Sequence, residues 1–360
     1  MADLSTSRNQ AVDIVKGLAI VLVVLGHALA RNPNSAYYFI YLFHVAAFFV
    51  ASGYLFRGER VATKEMLGRF VLRRFVRLWV PGFCMLAGFL FLRLALMRIA
   101  DSSVRLDPCR VVEGFASAVW LRPLEAAVVP VWFLQTLLAV SALYAGMEFA
   151  LRHFRLASAG VQGALAVVLL AASRLFDGEI VWTAECGRLL TGYALFHLGV
   201  ALRAVQPKLV RGARRYAWVG VIGLLGLFAL FRCERIDLYL NSCRHAATLL
   251  AASLSGWLAL YAAGVHLGRF GIGEAVAGLG RRALPVMLLH LPVFKALSFL
   301  LLLCRGWPPG VRDGVLVADI GPMTVGVYAA VGLSVPLVAD ALVRRGFRVA
   351  RGLTLRGQSL

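Results

Sequence analysis

Acidic side chains are scarce in this chain. Its 360 residues hold 18 Asp and Glu against 38 Lys and Arg, and charged residues of both signs make up only 16%. That is too little polar sequence to coat a water-soluble globule of this length. A Ser-, Pro- or Gly-rich linker and a long hydrophilic block are also missing, so nothing marks a second domain. No repeat of fixed period is visible, which removes the internal symmetry of an inverted-repeat transporter.

Hydrophobic residues are abundant, at 60% of the chain with a mean hydropathy of +0.78. A bilayer core about 30 Å thick is crossed by about 20 helical residues. Ten apolar stretches fit that length: 12–30, 37–56, 70–98, 129–150, 157–173, 187–203, 216–231, 245–265, 283–304 and 323–343. The third is long enough to tilt or to run past the bilayer. The expected fold is therefore an all-α integral membrane protein of about ten transmembrane helices. Residues 1–360 form one membrane domain, with a core over 8–343 and a short basic tail at 344–360.

A net charge of +20 would suggest a nucleic-acid partner in a soluble protein. Here the placement of the charges gives a different reason, because Lys and Arg collect in alternate connections. One set holds Arg57, Arg60 and Lys64; Arg152 and Arg155; Lys208, Arg211, Arg214 and Arg215; Arg269, Arg281 and Arg282; and Arg344, Arg345, Arg348, Arg351 and Arg356. The positive-inside rule puts this set, and both termini, in the cytoplasm. The other set is mixed or acidic and is expected outside: Asp101, Arg105, Asp107, Arg110 and Glu113; Asp177, Glu179 and Glu185; Glu234, Arg235 and Asp237; and Arg312, Asp313 and Asp319. Cys109, Cys186, Cys233 and Cys243 fall in the outer loops and Cys304 ends a span on that side; Cys233 and Cys243 either close a short loop or stay as free thiols. Residues 17–25 followed by Ala28-Leu29-Ala30 imitate a signal peptide. The weakly basic segment before them carries Asp13, and the stretch reads as a retained helix.

Ionisable groups inside membrane spans are costly and are the first place to look for function. The first span, DIVKGLAIVLVVLGHA, holds Asp13, Lys16 and His27. Lys16 sits near the cytoplasmic entry, where it can snorkel to the headgroups; His27 lies past the middle. Eleven residues at about 100° each bring Lys16 and His27 within about 20° of one face, about 16 Å apart along the axis. That separation is similar to the reach of an extended pantetheine arm. The second span, YLFHVAAFFVASGYLF, returns with His44 at a depth that approaches His27; the ordinary alternative is a core histidine bonded to a backbone carbonyl. The third span opens with RRFVRLWVP, in which Arg74 and Arg77 share a face. Guanidinium groups there suit phosphate binding, although arginines at a cytoplasmic helix start also serve topology alone.

Together these pieces resemble the acyltransferase 3 family of bacterial membrane proteins. Lys16 and His27 match its basic-x10-His signature, FHVAAFFVASGYLF resembles its second helix, and Arg74-Phe75-Val76-Arg77 matches its RxxR. Val131-Trp132-Phe133-Leu134 resembles the WFL start of its fourth span, and LGRRALPVMLLHLPV with His290 resembles its closing histidine-bearing helix. The resemblance runs from about residue 8 to 300, dense in the first 140 residues and thin from 150 to 280. It implies ten core helices in a bacterial inner membrane and O-acylation of a surface sugar with cytoplasmic acetyl-CoA as co-substrate. It implies no metal and no nucleic acid. The acceptor would be an exopolysaccharide or lipid-linked oligosaccharide, in the manner of the xanthan-type or fucose-type acetylases. The chain reads as the stand-alone form, without a following esterase-like domain.

On this reading His27 is the general base, or carries the acetyl group itself for part of the cycle. Lys16, Arg74 and Arg77 bind acyl-CoA phosphates, with Asp13 in support. His44 orients His27 or donates to the oxyanion, His290 is a lesser candidate of the same kind, and Trp132 and Gln135 line the acceptor side. The competing class is a proton-coupled transporter or flippase of lipid-linked sugars, with His27 and His44 as a proton relay and the arginines topogenic. A structural subunit of a polysaccharide export complex is a third.

Overall fold

The computed structural model describes residues 9–100, 107–176, 181–210, 212–306 and 315–357. Every regular element among them is helical, apart from an isolated antiparallel bridge between Asp237 and Ser242. Nine helical segments of the described residues are long and apolar enough to cross a bilayer, and 159–175 forms a shorter apolar helix. These ten segments coincide with the ten stretches expected from sequence, so the protein is an all-α membrane bundle. Asp101, Arg105, Asp177, Glu179, Arg211, Arg312 and Asp313, together with the side chains of Arg348, Arg351 and Arg356, lie outside the described residues.

The first helix, α1 (Gln10–Leu29), is the hub. Asn9 caps its start, its side-chain oxygen accepting the N–H of Val12 at 3.2 Å, which satisfies one of the orphan donors of the first turn. Ile14, Val15, Ala19, Ile20 and Val24 are fully buried. They pack against α2 (Ser35–Tyr41), α3 (Ala46–Tyr54), α10 (Ala246–Leu267), α11 (Gly271–Arg281), α12 (Ala283–Cys304) and α13 (Thr324–Gly357). The tightest of these seats is glycine-built. A Cβ on Gly280 would collide with the backbone of Asp13 and Gly17, and one on Gly17 would collide with the carbonyl of Val276. Two backbones therefore touch, as small residues permit in lipid, and Arg281 is delivered beside Lys16.

The second span is not one helix. It breaks between α2 and α3 at Leu42 to Val45, and His44 sits in the break. By contrast α4 (Lys64–Ala100) runs on for 37 residues with Pro81 inside it; at 1.5 Å per residue it is about 55 Å long, well beyond a bilayer core of about 30 Å. Its first four turns, carrying Arg69, Arg73, Arg74 and Arg77, start before the apolar stretch expected at 70–98. The remaining helices are α5 (Pro108–Val119), α6 (Val131–His153), α7 (Ala159–Ala172), α8 (Val181–Leu209) and α9 (Ala213–Phe231). Trp218, Ile222 and Leu225 on α9 are exposed at helical spacing, which is the lipid-facing stripe of a peripheral span.

Contacts sort the connections into two groups at opposite ends of the bundle. At one end Gly58 lies against Glu148 and Arg152, Arg203 donates to the Phe56 carbonyl at 2.7 Å and Gln10 donates to Glu274 at 3.2 Å. At the other, Arg122 grips Glu185 through two bonds of 2.9 and 2.7 Å, and Arg31 donates to the Val317 carbonyl at 2.7 Å. Arg174 there holds the Asn241 side chain at 2.7 Å. The turn at Asn241, with φ of 53°, is thereby tied down to the segment just after α7 and, through the Thr191 hydroxyl at 2.8 Å, to α8.

None of the six cysteines, all of them described residues, is in a disulfide, Cys233 and Cys243 included. The Cys243 sulfur instead accepts from Arg174 at 2.8 Å.

Candidate active site

At the end where α1 begins, a cavity of about 840 Å³ opens between α1, α3, α4, α6, α11 and α12. Lys16 lines it with Arg74 and Arg77, so the structure brings those three expected residues together. Five more cations share the walls: Arg57, Arg60, Arg69, Arg73 and Arg281. The carboxylates that meet this set are few. Asp13 is 2.6 Å from the Lys16 ammonium, with Asp13 only 4% and Lys16 21% exposed, and Glu274 pairs with Arg281. The i, i+3 pairing of Asp13 with Lys16 makes a charged residue in an apolar helix tolerable. Arg74 also lies over the Phe70 ring, 5.5 Å from its centroid, which orients the guanidinium.

The far end of the cavity is apolar, walled by Phe48, Phe133, Leu137 and Met287. Phe48 is four residues from His44 and Met287 three from His290, so each histidine stands about one helical turn, 4–6 Å, beyond the cavity's end. The His27 ring meets the His290 ring at 5.1 Å between centroids and the Tyr41 ring at 6.5 Å; Tyr41 meets His44 at 4.7 Å. Three imidazoles and a tyrosine thus form one cluster from α1, the end of α2, the α2–α3 break and α12. His44 and His290 are 3% and 0% exposed, whereas His27 keeps accessible surface. Each buried one bonds a backbone carbonyl four residues back, His44 to Ile40 and His290 to Val286, both through Nδ1 at 2.8 Å. The carbonyl-bonded core histidine weighed for His44 is therefore what the structure shows; the same Ile40 carbonyl also accepts the backbone N–H of His44 at 3.2 Å.

Trp132 and Gln135 do not line the cavity, although their neighbours Phe133 and Leu134 do. Trp132 is buried near the opposite end, where the Arg188 guanidinium lies 5.4 Å from its ring and 5.2 Å from that of Tyr239. Gln135 is partly exposed one residue past Leu134. In the connection above them, burial pushes the Asp237 carboxyl up, against the pull of the Leu240 and Tyr239 N–H groups and the nearby Arg188 charge. Glu234 is the reverse: burial alone would raise it, but the Thr248 hydroxyl and the N–H groups of Arg244, Arg235 and His245 together hold it below the usual range.

Arg57, Arg60 and Arg281, read from sequence only as topology signals, turn out to line the cavity, and Arg69 and Arg73 are additions. A signal for two of them was present: Arg69, Arg73 and Arg77 recur every four residues, which stacks them along one helix face.

The class of protein is thus a many-helix membrane bundle with a cation-lined chamber at one end and an imidazole cluster beyond it. The acyltransferase domain model of the acyltransferase 3 family matches residues 9–339, and the chain belongs to that family. It is also 40% identical over 86 residues to the nodulation protein NolL of Sinorhizobium fredii (strain NBRC 101917 / NGR234), a stretch covering 21% of this chain and 23% of that protein. No solved structure matches.

Proposed function

We propose that this protein is an O-acetyltransferase that takes an acetyl group from cytoplasmic acetyl-CoA and places it on a sugar hydroxyl of an exopolysaccharide or lipid-linked glycan on the outer side. It works in a bacterial inner membrane with both termini in the cytoplasm. The observation that carries this reading is the cavity: eight cations at one end, an apolar throat, and His27 and its partners one turn beyond. CoA carries a 3′-phosphate and a diphosphate on a long uncharged arm, and its charge, length and reactive tip correspond to the rim, throat and end of that path. Lys16, Arg74 and Arg77 hold the phosphates by charge-assisted hydrogen bonds, with Asp13 fixing the Lys16 ammonium. Trp132, with Gln135 beside the throat, borders the acceptor side.

The chemistry needs a base, since a sugar hydroxyl is a weak nucleophile. In direct transfer the hydroxyl oxygen attacks the thioester carbonyl while its proton passes to His27. The tetrahedral intermediate then breaks its C–S bond and the thiolate regains that proton. In the covalent variant the His27 nitrogen attacks the thioester carbonyl, and the C–S bond breaks to give an acetyl-imidazolium and the CoA thiolate. The sugar hydroxyl then takes the acetyl group from nitrogen, the proton it loses balancing the thiolate. The test is radiolabelled acetyl-CoA incubated with the purified chain and the glycan and lipid fraction of the native membrane. Label that enters the glycan and disappears in His27→Ala supports the reading. Absence of any His27-dependent label, with transbilayer movement of lipid-linked sugar instead, overturns it.

A further inference from the structure

The histidine cluster contains one polar atom without an explanation. His290 is fully buried and its Nε2 has no hydrogen-bond partner among the described residues. Its other nitrogen is committed: a backbone carbonyl can only accept, so the 2.8 Å contact with Val286 places the ring proton on Nδ1. The neutral ring therefore presents a bare lone pair at Nε2. The same logic applies to His44, whose Nδ1 is held by Ile40, but His44 faces Tyr41, whereas His290 faces His27. Rings whose centroids are 5.1 Å apart can bring facing nitrogens to the roughly 2.7–3.2 Å of a hydrogen bond.

We propose that His290 is the positioning residue of the reaction, its Nε2 accepting the ring proton of His27 and so fixing which His27 nitrogen is free to act. This rests on the acyl-transfer reading above. No carboxylate needs to enter the cluster, because a neutral imidazole of locked tautomer supplies the acceptor. When His27 takes the acceptor's proton, both of its nitrogens carry one. The bond to His290 then stabilises the imidazolium, and the acquired proton leaves with the thiolate, so the cycle closes without any net change in the pair. A buried acceptor without a donor costs free energy in the resting protein, and the cost is recovered when the His27 N–H turns toward it.

Two substitutions separate positioning from packing. His290→Gln keeps an acceptor oxygen near the Nε2 position but loses the tether to Val286; His290→Asn keeps a donor for Val286 but offers nothing at the Nε2 position. In the full chain reconstituted in nanodiscs, CoA release from acetyl-CoA is followed with octyl glycosides as acceptors, or with water where no glycoside exceeds it. His290→Gln is expected within about 10-fold of the parent, and His290→Asn about 100-fold down in kcat with KM for acetyl-CoA unchanged. His290→Asn matching or exceeding His290→Gln overturns the proposal while leaving the His27 dependence, and so the acyl-transfer reading, intact. Independently of turnover, long-range proton–nitrogen spectra of isotope-labelled histidines are expected to show His290 protonated at Nδ1. Protonation at Nε2 would overturn the assignment even in a protein that transfers nothing.

Discussion

The two ends of α1 are built on opposite plans. Around Lys16 the walls carry eight cations on four separate segments and enclose about 840 Å³. Around His27 there are three imidazoles and one tyrosine in ring contact, two of the imidazoles buried and tethered to carbonyls. Redundant charge over an open volume recognises a ligand without depending on any one group. A locked cluster depends on each member. The difference teaches that substitutions at the basic end should act gradually and on donor binding, and those at the histidine end abruptly and on turnover.

The largest expected effect is therefore at His27. His27→Ala should lower kcat by about 10³-fold or more with the KM for acetyl-CoA little changed, read by CoA release. A large rise in KM with kcat preserved would place the histidine in binding and erase the contrast. Next is the α1–α11 seat, which serves the basic end through the backbone. In Gly280→Val the new side chain meets Asp13 and Gly17. It should cost about 3 kcal/mol of stability and raise the donor KM, seen as a lowered Tm and a shifted titration with acetyl-CoA.

Single arginines come third. Arg74→Gln or Arg77→Gln should raise the donor KM about 10-fold with kcat held. The same parameter should climb several-fold when salt is increased from about 0.05 to about 0.5 M. An unchanged KM in both experiments would return these arginines to topology alone. The smallest effect lies above the histidine end, in the connection after α9. The Glu234 carboxyl is held below its usual range, so its contribution is present at neutral pH and is lost as pH falls through that lowered value. Glu234→Gln should cost about 1 kcal/mol near pH 7 and flatten the loss of Tm on acidification below about pH 4.

Hydropathy made most of this architecture legible. All ten stretches became helices because crossing a bilayer leaves the backbone few alternatives. The phase of Lys16 and His27 was readable for the same reason: an uninterrupted helix has fixed geometry, so spacing converts to direction. What escaped were features carried by neighbours. The break at His44 lies inside an apolar run, with no proline or glycine at Leu42 to Val45 to mark it. Helices α5 and α11, both short and amphipathic, fall below any spanning threshold, and α11 matters because glycines let it touch α1. Arg57 and Arg60 read as part of a basic connection, yet no local pattern says that their loop folds over a cavity. The pairing of His27 with His290, 263 positions apart in the numbering of the sequence, is a product of the bundle alone.

The central claim is that one path joins the basic cavity to His27 and that acetyl, but not CoA, traverses it. It is tested most directly in sealed proteoliposomes of known orientation, with radiolabelled acetyl-CoA confined to the side of the basic cavity and lipid-linked glycan from the native membrane in the bilayer. The account predicts labelled glycan facing the opposite side, CoA released entirely on the donor side, and neither in His27→Ala. Label that stays on the donor side, or transfer that persists without His27, would contradict it.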